Sequence, residues 1–277
     1  QSFAWFYAVN TGQISIRHGL RGPSGVLVSE QAGGLDAIGQ ACRQLRGDVQ
    51  AMVTGGVDGA LCPWGWTAQL SGGLLSTCDD PARAFLPFSA SASGQVIGEG
   101  GAILVLEDAA SAAARGVEPY GAVTGYAATF DGRRSGGNAT GTGLRRAIEQ
   151  ALTSARLTPA DIGLVLADGA GVADLDRAEA AAICAVFGPS QVPVSVPKTM
   201  TGRLLAGGAA LDVATALLAL RDRVIPPSIN VDECAEGLGI DLVTGASQPL
   251  RKSSVLVLAR GRGGFNAAVV VSRATEN

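Results

Sequence analysis

A glutamine occupies a position in this sequence at which a nucleophile would be effective. Gln31 follows an apolar segment at 25–30, which predicts a short buried strand, and precedes a helical pattern at 32–45. A side chain at such a junction lies over the helix N-terminus, where free N–H groups and the helix dipole favour a thiolate or oxyanion. Enzymes place a Cys or Ser nucleophile on an elbow of this kind. Because a carboxamide forms no acyl intermediate under mild conditions, Gln31 predicts an elbow without a nucleophile.

Other residues suited to metal or nucleophilic chemistry are sparse. His18 is the only histidine, it has no partner nucleophile, and we interpret it as structural. The sequence has five irregularly spaced cysteines without a CxxC pair: Cys42, Cys62, Cys78, Cys184 and Cys234. A zinc site therefore has almost no ligands to draw on, and we expect neither a metal nor a cofactor. We interpret the cysteines as reduced thiols of a cytoplasmic protein.

The composition predicts a packed α/β protein. The 277 residues are 47% hydrophobic and 16% charged, with 39 glycines and a net charge of −3. No cluster of Lys and Arg indicates nucleic-acid binding. No apolar run approaches the roughly 18 residues that a membrane span needs, so we expect no membrane partner.

Helical and strand-like patterns alternate along the chain, which favours a parallel sheet with crossover helices. We expect helices at 3–16, 32–45, 109–116, 142–155, 173–187 and 209–221, and strands at 25–30, 50–57, 101–106, 120–128, 164–167, 192–196, 254–260 and 267–272. The segment 132–143 is rich in Gly, Ser, Thr and Asn and predicts a loop. We take that loop as the boundary between two halves, 1–131 and 132–277.

Several long strings of the sequence, in order from residue 28 to residue 268, belong to a recognisable pattern. They are VSEQAGGLDA, TGGVDGALCPWGW, GEGGAILVLED, LADGAGVADLDRAEA, VPKTMTGRLLAGGAALDVATALLAL and ARGRGGFNAA. The chain resembles the chain length factors, which are the ketosynthase beta subunits of type II aromatic polyketide synthases, in the thiolase/beta-ketoacyl synthase superfamily.

This resemblance implies a thiolase-like fold. Two related α/β halves form a layered αβαβα arrangement, and the N-terminal part of the first half is absent from this chain. Without that part, a sheet edge and core surface would be uncovered. We expect the missing segment either to stay bound as a separate N-terminal fragment or to belong to the same polypeptide before residue 1.

The resemblance also implies that the catalytic positions have degenerated. Gln31 stands in place of the acyl-accepting cysteine. Asp168 and Arg203 stand in place of the two histidines that stabilise the malonyl-derived enolate, whereas Lys198 is retained. An ionised Asp cannot donate a hydrogen bond to an enolate, so we expect Asp168 and Arg203 to pair with each other or with close neighbours. The old pocket would then be filled with polar groups that are all satisfied. Lys198 either orders the old site or satisfies buried carbonyls and carboxylates.

Two further segments are candidate site residues by the same resemblance. Trp64 and Gly65 are expected to line a polyketide tunnel, with Trp64 closing its end; ordinary core packing is the alternative for Trp64 and Trp66. The turn formed by Gly261, Arg262 and Gly263 borders the old oxyanion site and has Arg262 where ketosynthases have a gating phenylalanine. A plain turn with a surface arginine is the alternative there. An aromatic cluster at Phe3, Trp5, Phe6 and Tyr7 is interpreted as core or dimer contacts.

These residues predict a non-catalytic subunit. The resemblance implies an obligate heterodimer with a ketosynthase alpha subunit, contact with an acyl carrier protein through that partner, and a growing polyketide chain in the shared tunnel. Two alternatives stay open. The chain could be a malonyl-acyl carrier protein decarboxylase that supplies the starter unit through Gln31, or a scaffold that only stabilises the ketosynthase.

Overall fold

The computed structural model of this chain describes residues 6–132 and 141–274. The aromatic residues Phe3 and Trp5, and most of the predicted loop at 132–143, lie outside the described residues. The helices are α1 (Val9–His18), α2 (Gly33–Leu45), α3 (Pro63–Ser71), α4 (Ala109–Ala114), α5 (Thr142–Ala155), α6 (Ala173–Phe187) and α7 (Ala206–Asp222). The strands are β1 (Ala51–Gly59), β2 (Glu99–Glu107), β3 (Ala122–Phe130), β4 (Ile162–Leu166), β5 (Pro193–Ser195), β6 (Val224–Ile225), β7 (Asp241–Leu242), β8 (Gln248–Pro249), β9 (Ser254–Arg260) and β10 (Phe265–Ser272).

A six-stranded mixed sheet forms the centre of the molecule, in the order β3-β10-β9-β4-β5-β7. β3, β10 and β9 are antiparallel neighbours, whereas β9, β4, β5 and β7 run parallel. Alternate residues of each strand face opposite sides, because successive side chains in a strand point to opposite faces. In β4, for example, Leu164 and Leu166 join one core and Val165 joins the other.

Two apolar cores lie on the two faces of this sheet. On one face α5 and α6 pack against the sheet through residues such as Leu144, Ile148 and Ile183. On the other face α2 and α7 pack through Leu35 and Val213. Both helix pairs follow the predicted periodicities, since each has one buried apolar side.

The strands β1 and β2 form a separate two-stranded sheet on the far side of α2 and α7. The described residues therefore make four layers: helices, six-stranded sheet, helices and two-stranded sheet. β1 and β2 are antiparallel over their whole length. Val105 on this sheet is 72% exposed, which leaves the outer face of the fourth layer open.

The prediction of a strand at 25–30 is wrong. Residues 23–29 form no strand with any described residue, and Val28 is 73% exposed. A β-strand needs a neighbouring strand for its backbone hydrogen bonds, and here β1 pairs with β2 instead. A 3₁₀ turn, Glu30–Ala32, then leads into α2.

Helix α3 was not predicted from the sequence, although it contains both Trp64 and Trp66. Pro63 occupies its first turn, where the missing N–H costs nothing, and the helix ends at Gly72. The strand β3 precedes the predicted boundary at 131/132 and is an edge strand of the six-stranded sheet. The division into 1–131 and 132–277 stays a prediction.

Candidate functional site

The elbow at Gln31 is formed by the backbone between residue 29 and the first turn of α2. Glu30 has a φ of +54°, a conformation that non-glycine residues adopt rarely. The hydroxyl of Ser29 donates to Asp36 in the first turn of α2, and Tyr126 Oη donates to the other oxygen of that carboxylate at 2.8 Å. Gln31 is only 5% exposed. The elbow is therefore a fixed, buried feature whose side chain is a carboxamide.

The β9–β10 turn packs directly against this elbow. The backbone N–H of Arg262 donates to the Glu30 carboxylate. A Cβ at Gly261 would lie 2.7 Å from the Ser29 carbonyl oxygen, so a glycine is required for the close approach. Residues 232 positions apart in sequence thus meet at the N-terminus of α2.

Asp168 and Arg203 form a buried ion pair, as predicted. Arg203 Nη2 lies 2.8 Å from Asp168 Oδ2, and the two side chains are 2% and 3% exposed. Arg203 Nη1 donates to the carbonyls of Asp168 and Gly169 at 3.0 and 2.9 Å. The expectation that all polar atoms are satisfied is wrong in part, since Asp168 Oδ1 and Arg203 Nε have no partner among the described residues.

Lys198 is held by two acceptors. It forms a buried ion pair with Asp212 of α7 and donates to the Ala167 carbonyl at 3.1 Å. These contacts confirm the interpretation in which Lys198 satisfies a buried carbonyl and carboxylate. Asp212 was not identified from the sequence, although a single acid in the apolar run of α7 was a signal that it has a buried partner.

Two acidic residues of α6 hold the loop that contains Asp168. Glu179 accepts the N–H groups of Asp168 and Gly169 at 2.7 and 3.0 Å. Asp176 accepts those of Ala170 and Gly171 at 2.8 and 3.1 Å. The sequence analysis missed both residues. Their spacing of three in an alanine-rich helix, which puts two acids on one face, was the available signal.

Burial raises the pKa of four acidic side chains in and around this site. It raises the pKa of Glu179 to about 7, and repulsion from Asp168 adds to the rise. It raises the pKa of Asp176 to about 6, against the backbone hydrogen bonds that lower it. It also raises the pKa of Asp212 to about 6, although Lys198 opposes the rise. Burial likewise raises the pKa of Glu30 to about 7, with Arg262 as the main opposing charge.

This arrangement is poorly suited to condensation chemistry. A condensing site needs a nucleophile on the elbow and hydrogen-bond donors directed at the developing enolate. Here the elbow carries Gln31, and the cations Arg203 and Lys198 are engaged by carboxylates and carbonyls.

Trp64 and Gly65 lie on the exposed helix α3. Trp64 is 60% exposed and Trp66 is 42% exposed, so neither packs in the core of this chain. Gly65 is buried, and a Cβ there would lie 2.7 Å from the Ala60 carbonyl oxygen. Gly65 therefore permits packing against its own preceding segment, and its role in a tunnel stays a prediction.

The remaining sequence candidates within the described residues are exposed. His18 is an exposed residue in the last turn of α1. Phe6 and Tyr7 stack on each other with ring centroids 5.1 Å apart and are exposed. Residues 6–132 and 141–274 contain no group of three or more His, Cys, Asp or Glu side chains arranged to bind a metal. Within the same residues, no helix is long and apolar enough to cross a membrane.

Comparison with protein families gives two matches. Residues 3–112 match the family described as beta-ketoacyl synthase, N-terminal domain, and residues 120–232 match beta-ketoacyl synthase, C-terminal domain. The solved structures include similar folds at 26% sequence identity. One is the ishigamide ketosynthase/chain length factor, with a TM-score of 0.88 over 98% of this chain and 66% of that chain. Another is a type II PKS acyl-carrier protein in complex with its ketosynthase bound to the hexaketide, with a TM-score of 0.93 over 98% of this chain and 68% of that chain. The predicted thiolase-like, layered α/β fold is thereby confirmed.

Curated relatives are more similar in sequence. The tetracenomycin polyketide synthase ketoacyl synthase beta subunit of Streptomyces glaucescens is 58% identical over 99% of this chain and 67% of its own length. The actinorhodin polyketide putative beta-ketoacyl synthase 2 of Streptomyces coelicolor is 57% identical over 99% and 67%. The chain thus spans about two thirds of these relatives. With this identity, and with a carboxamide on the nucleophile elbow, the chain belongs to the ketosynthase beta subunits, or chain length factors, of the beta-ketoacyl synthase family.

Proposed function

We propose that this chain is a non-catalytic chain length factor that pairs with a ketosynthase alpha subunit and shapes the tunnel in which an aromatic polyketide grows. The observation that supports this most directly is the loss of all three reactive groups. Gln31 is buried on the elbow, and Asp168 and Arg203 neutralise each other where enolate-stabilising donors would be needed. The partner then supplies the cysteine and receives extender units from an acyl carrier protein.

The exposed helix α3 supports a role at an interface. A helix with two tryptophans and Leu70 largely exposed is unusual for a surface that stays in water. Tryptophan has the largest side chain of any residue type, and we propose that Trp64 closes the tunnel and limits product length. We also propose a cytoplasmic location, with no metal and no cofactor, and contact with the carrier protein only through the partner.

Co-expression with a ketosynthase and carrier protein tests the proposal. The Trp64→Ala variant is expected to assemble with the ketosynthase and to release longer polyketides, because removal of the indole makes the tunnel longer. Tyr120→Ala is the matched control, since Tyr120 is an aromatic residue of similar exposure, 64% against 60% for Trp64, on another segment. Mass spectrometry of the products reads out chain length. If an intact Trp64→Ala heterodimer makes products of unchanged length, the assignment of Trp64 to the end of the tunnel is wrong.

A malonyl-carrier decarboxylase working through Gln31 is the competing function. Decarboxylation creates an enolate, which Asp168 would repel and which the engaged Arg203 is not free to stabilise. We therefore expect the purified chain to produce no acetyl-carrier protein from malonyl-carrier protein. Acetyl-carrier formation that is abolished by Gln31→Ala would revive the decarboxylase.

A further inference from the structure

Helix α3 receives little positional restraint from apolar packing. Gly65 is its one buried residue, while Trp64, Trp66 and Leu70 are 60%, 42% and 56% exposed. Burial of an apolar face normally fixes how a helix lies on its neighbours. Polar contacts at the two ends of this helix contribute to its placement.

One such contact precedes the helix. The N–H of Leu61 donates to Glu99 Oε1 at 3.0 Å, which ties the entry of α3 to β2. The contact is a single hydrogen bond from a backbone group, and it fixes the position of the entry more than the direction of the helix axis.

Arg262 makes the contact at the other end. Its Nη2 donates to the Gly72 carbonyl at 3.5 Å, directly after the last residue of α3. The guanidinium lies close against this residue, since a Cβ at Gly72 would be 2.7 Å from Arg262 Nη1. The last carbonyls of a helix are unpaired and carry the negative end of its dipole, so a cation is favourable there.

Arg262 is itself held by the nucleophile elbow. Its backbone N–H donates to the Glu30 carboxylate, and the N–H of Gly261 donates to the Phe265 carbonyl at 2.9 Å to close the turn. The turn cannot slide toward the elbow, because Gly261 already lies against the Ser29 carbonyl. A continuous series of contacts therefore runs from the elbow through Arg262 to the end of α3.

We infer that Arg262 is a positioning residue that sets the direction of α3, and through it the place of Trp64, and that it is thereby a determinant of product length. The inference rests on the proposed function, in which Trp64 limits the tunnel. It replaces the interpretation of Arg262 as a plain surface arginine in a turn. Arg262 acts through the helix and does not touch the reacting atoms.

The test compares variants in the heterodimer with a ketosynthase and carrier protein. Arg262→Ala is expected to change the ratio of long to short products by about 1.5- to fivefold, the size expected when one exposed charged contact is lost. Arg262→Lys keeps a cation near the Gly72 carbonyl and is expected to restore most of the native ratio. Arg251→Ala removes an exposed arginine from another loop and is the matched control, with no expected change.

Gly72→Ala perturbs the same contact without altering Arg262. The added methyl would displace the guanidinium, and the backbone φ of −71° accepts alanine. We expect a shift in the product ratio in the same direction as with Arg262→Ala. This variant decides the matter if Arg262→Ala does not assemble with its partner.

The outcomes separate the two proposals. If Trp64→Ala changes product length but Arg262→Ala and Gly72→Ala leave the product ratio unchanged, the positioning role is overturned and the proposed function stands. If Trp64→Ala leaves product length unchanged, the tunnel assignment of Trp64 is wrong, and so is the positioning role that rests on it. Tryptophan fluorescence anisotropy in a Trp5→Phe background, where both remaining tryptophans lie on α3, is expected to fall in Arg262→Ala as the helix becomes more mobile. Unchanged anisotropy would also contradict the positioning role.

Discussion

Replacing Arg203 by methionine removes the cation of the buried pair while keeping a side chain of similar length. Three acceptors lose their donor: Asp168 Oδ2 at 2.8 Å and the carbonyls of Asp168 and Gly169 at 3.0 and 2.9 Å. A charge left unpaired inside a protein costs about 3–5 kcal/mol, because the desolvation penalty is no longer offset. Since total stability is of the order of 5–15 kcal/mol, Arg203→Met is expected to remove a large part of it.

The partner substitution is expected to be milder. In Asp168→Asn the buried guanidinium loses its counter-charge, but the amide oxygen still accepts from Arg203 Nη2 and both backbone carbonyls keep their donor. We expect a loss of about 1.5–3 kcal/mol, the range for a hydrogen bond that involves a charged group. The double variant Asp168→Asn with Arg203→Met should lose less than the sum of the two, because no carboxylate is then left unpaired.

Urea unfolding of the purified variants, followed by circular dichroism and tryptophan fluorescence, measures these losses. The coupling energy from the double-mutant cycle is the decisive quantity. A loss below about 1 kcal/mol for Arg203→Met, or strict additivity in the double variant, would refute the view that Asp168 and Arg203 form a tightly coupled buried pair.

Two further expectations concern packing and pH. Gly34→Ala is expected to destabilise the chain by about 1–3 kcal/mol, because its Cβ would lie 2.4 Å from the Ala206 carbonyl oxygen where α2 crosses α7. Gly47→Ala is the control in the same urea assay and should be close to neutral, since the nearest atom to its Cβ would be 3.5 Å away. Burial raises the pKa of Asp176 to about 6 and of Glu179 to about 7, from ordinary values of 3.8 and 4.5, so the folded chain binds more protons than the unfolded chain between these limits. Stability should therefore fall as the pH rises from about 4 to 7, by at most about 1.4 kcal/mol per unit for each group, and Asp176→Asn should flatten the profile; a profile that rises with pH would contradict this assignment.

Local patterns in the sequence were sufficient for much of the fold. The short apolar runs at 254–260 and 267–272 predicted β9 and β10, and the helical periods at 142–155 and 173–187 match α5 and α6. These patterns succeed because a strand covered on both faces is apolar throughout, whereas side-chain direction in a helix repeats about every 3.6 residues. The apolar segment at 25–30 failed by the same rule, since a strand also requires a neighbour that no local pattern can supply.

Residue type alone shows that a carboxamide at position 31 is no nucleophile and that a carboxylate at 168 cannot donate a hydrogen bond to an enolate. How the remaining charges are used depends on the packing of distant segments. Asp168 meets Arg203 across 35 residues, and the Arg262 backbone meets Glu30 across 232. A charge that is removed from water needs an opposite charge or a hydrogen bond nearby. The packing of the layers, and not distance along the chain, decides which groups are near enough to provide it.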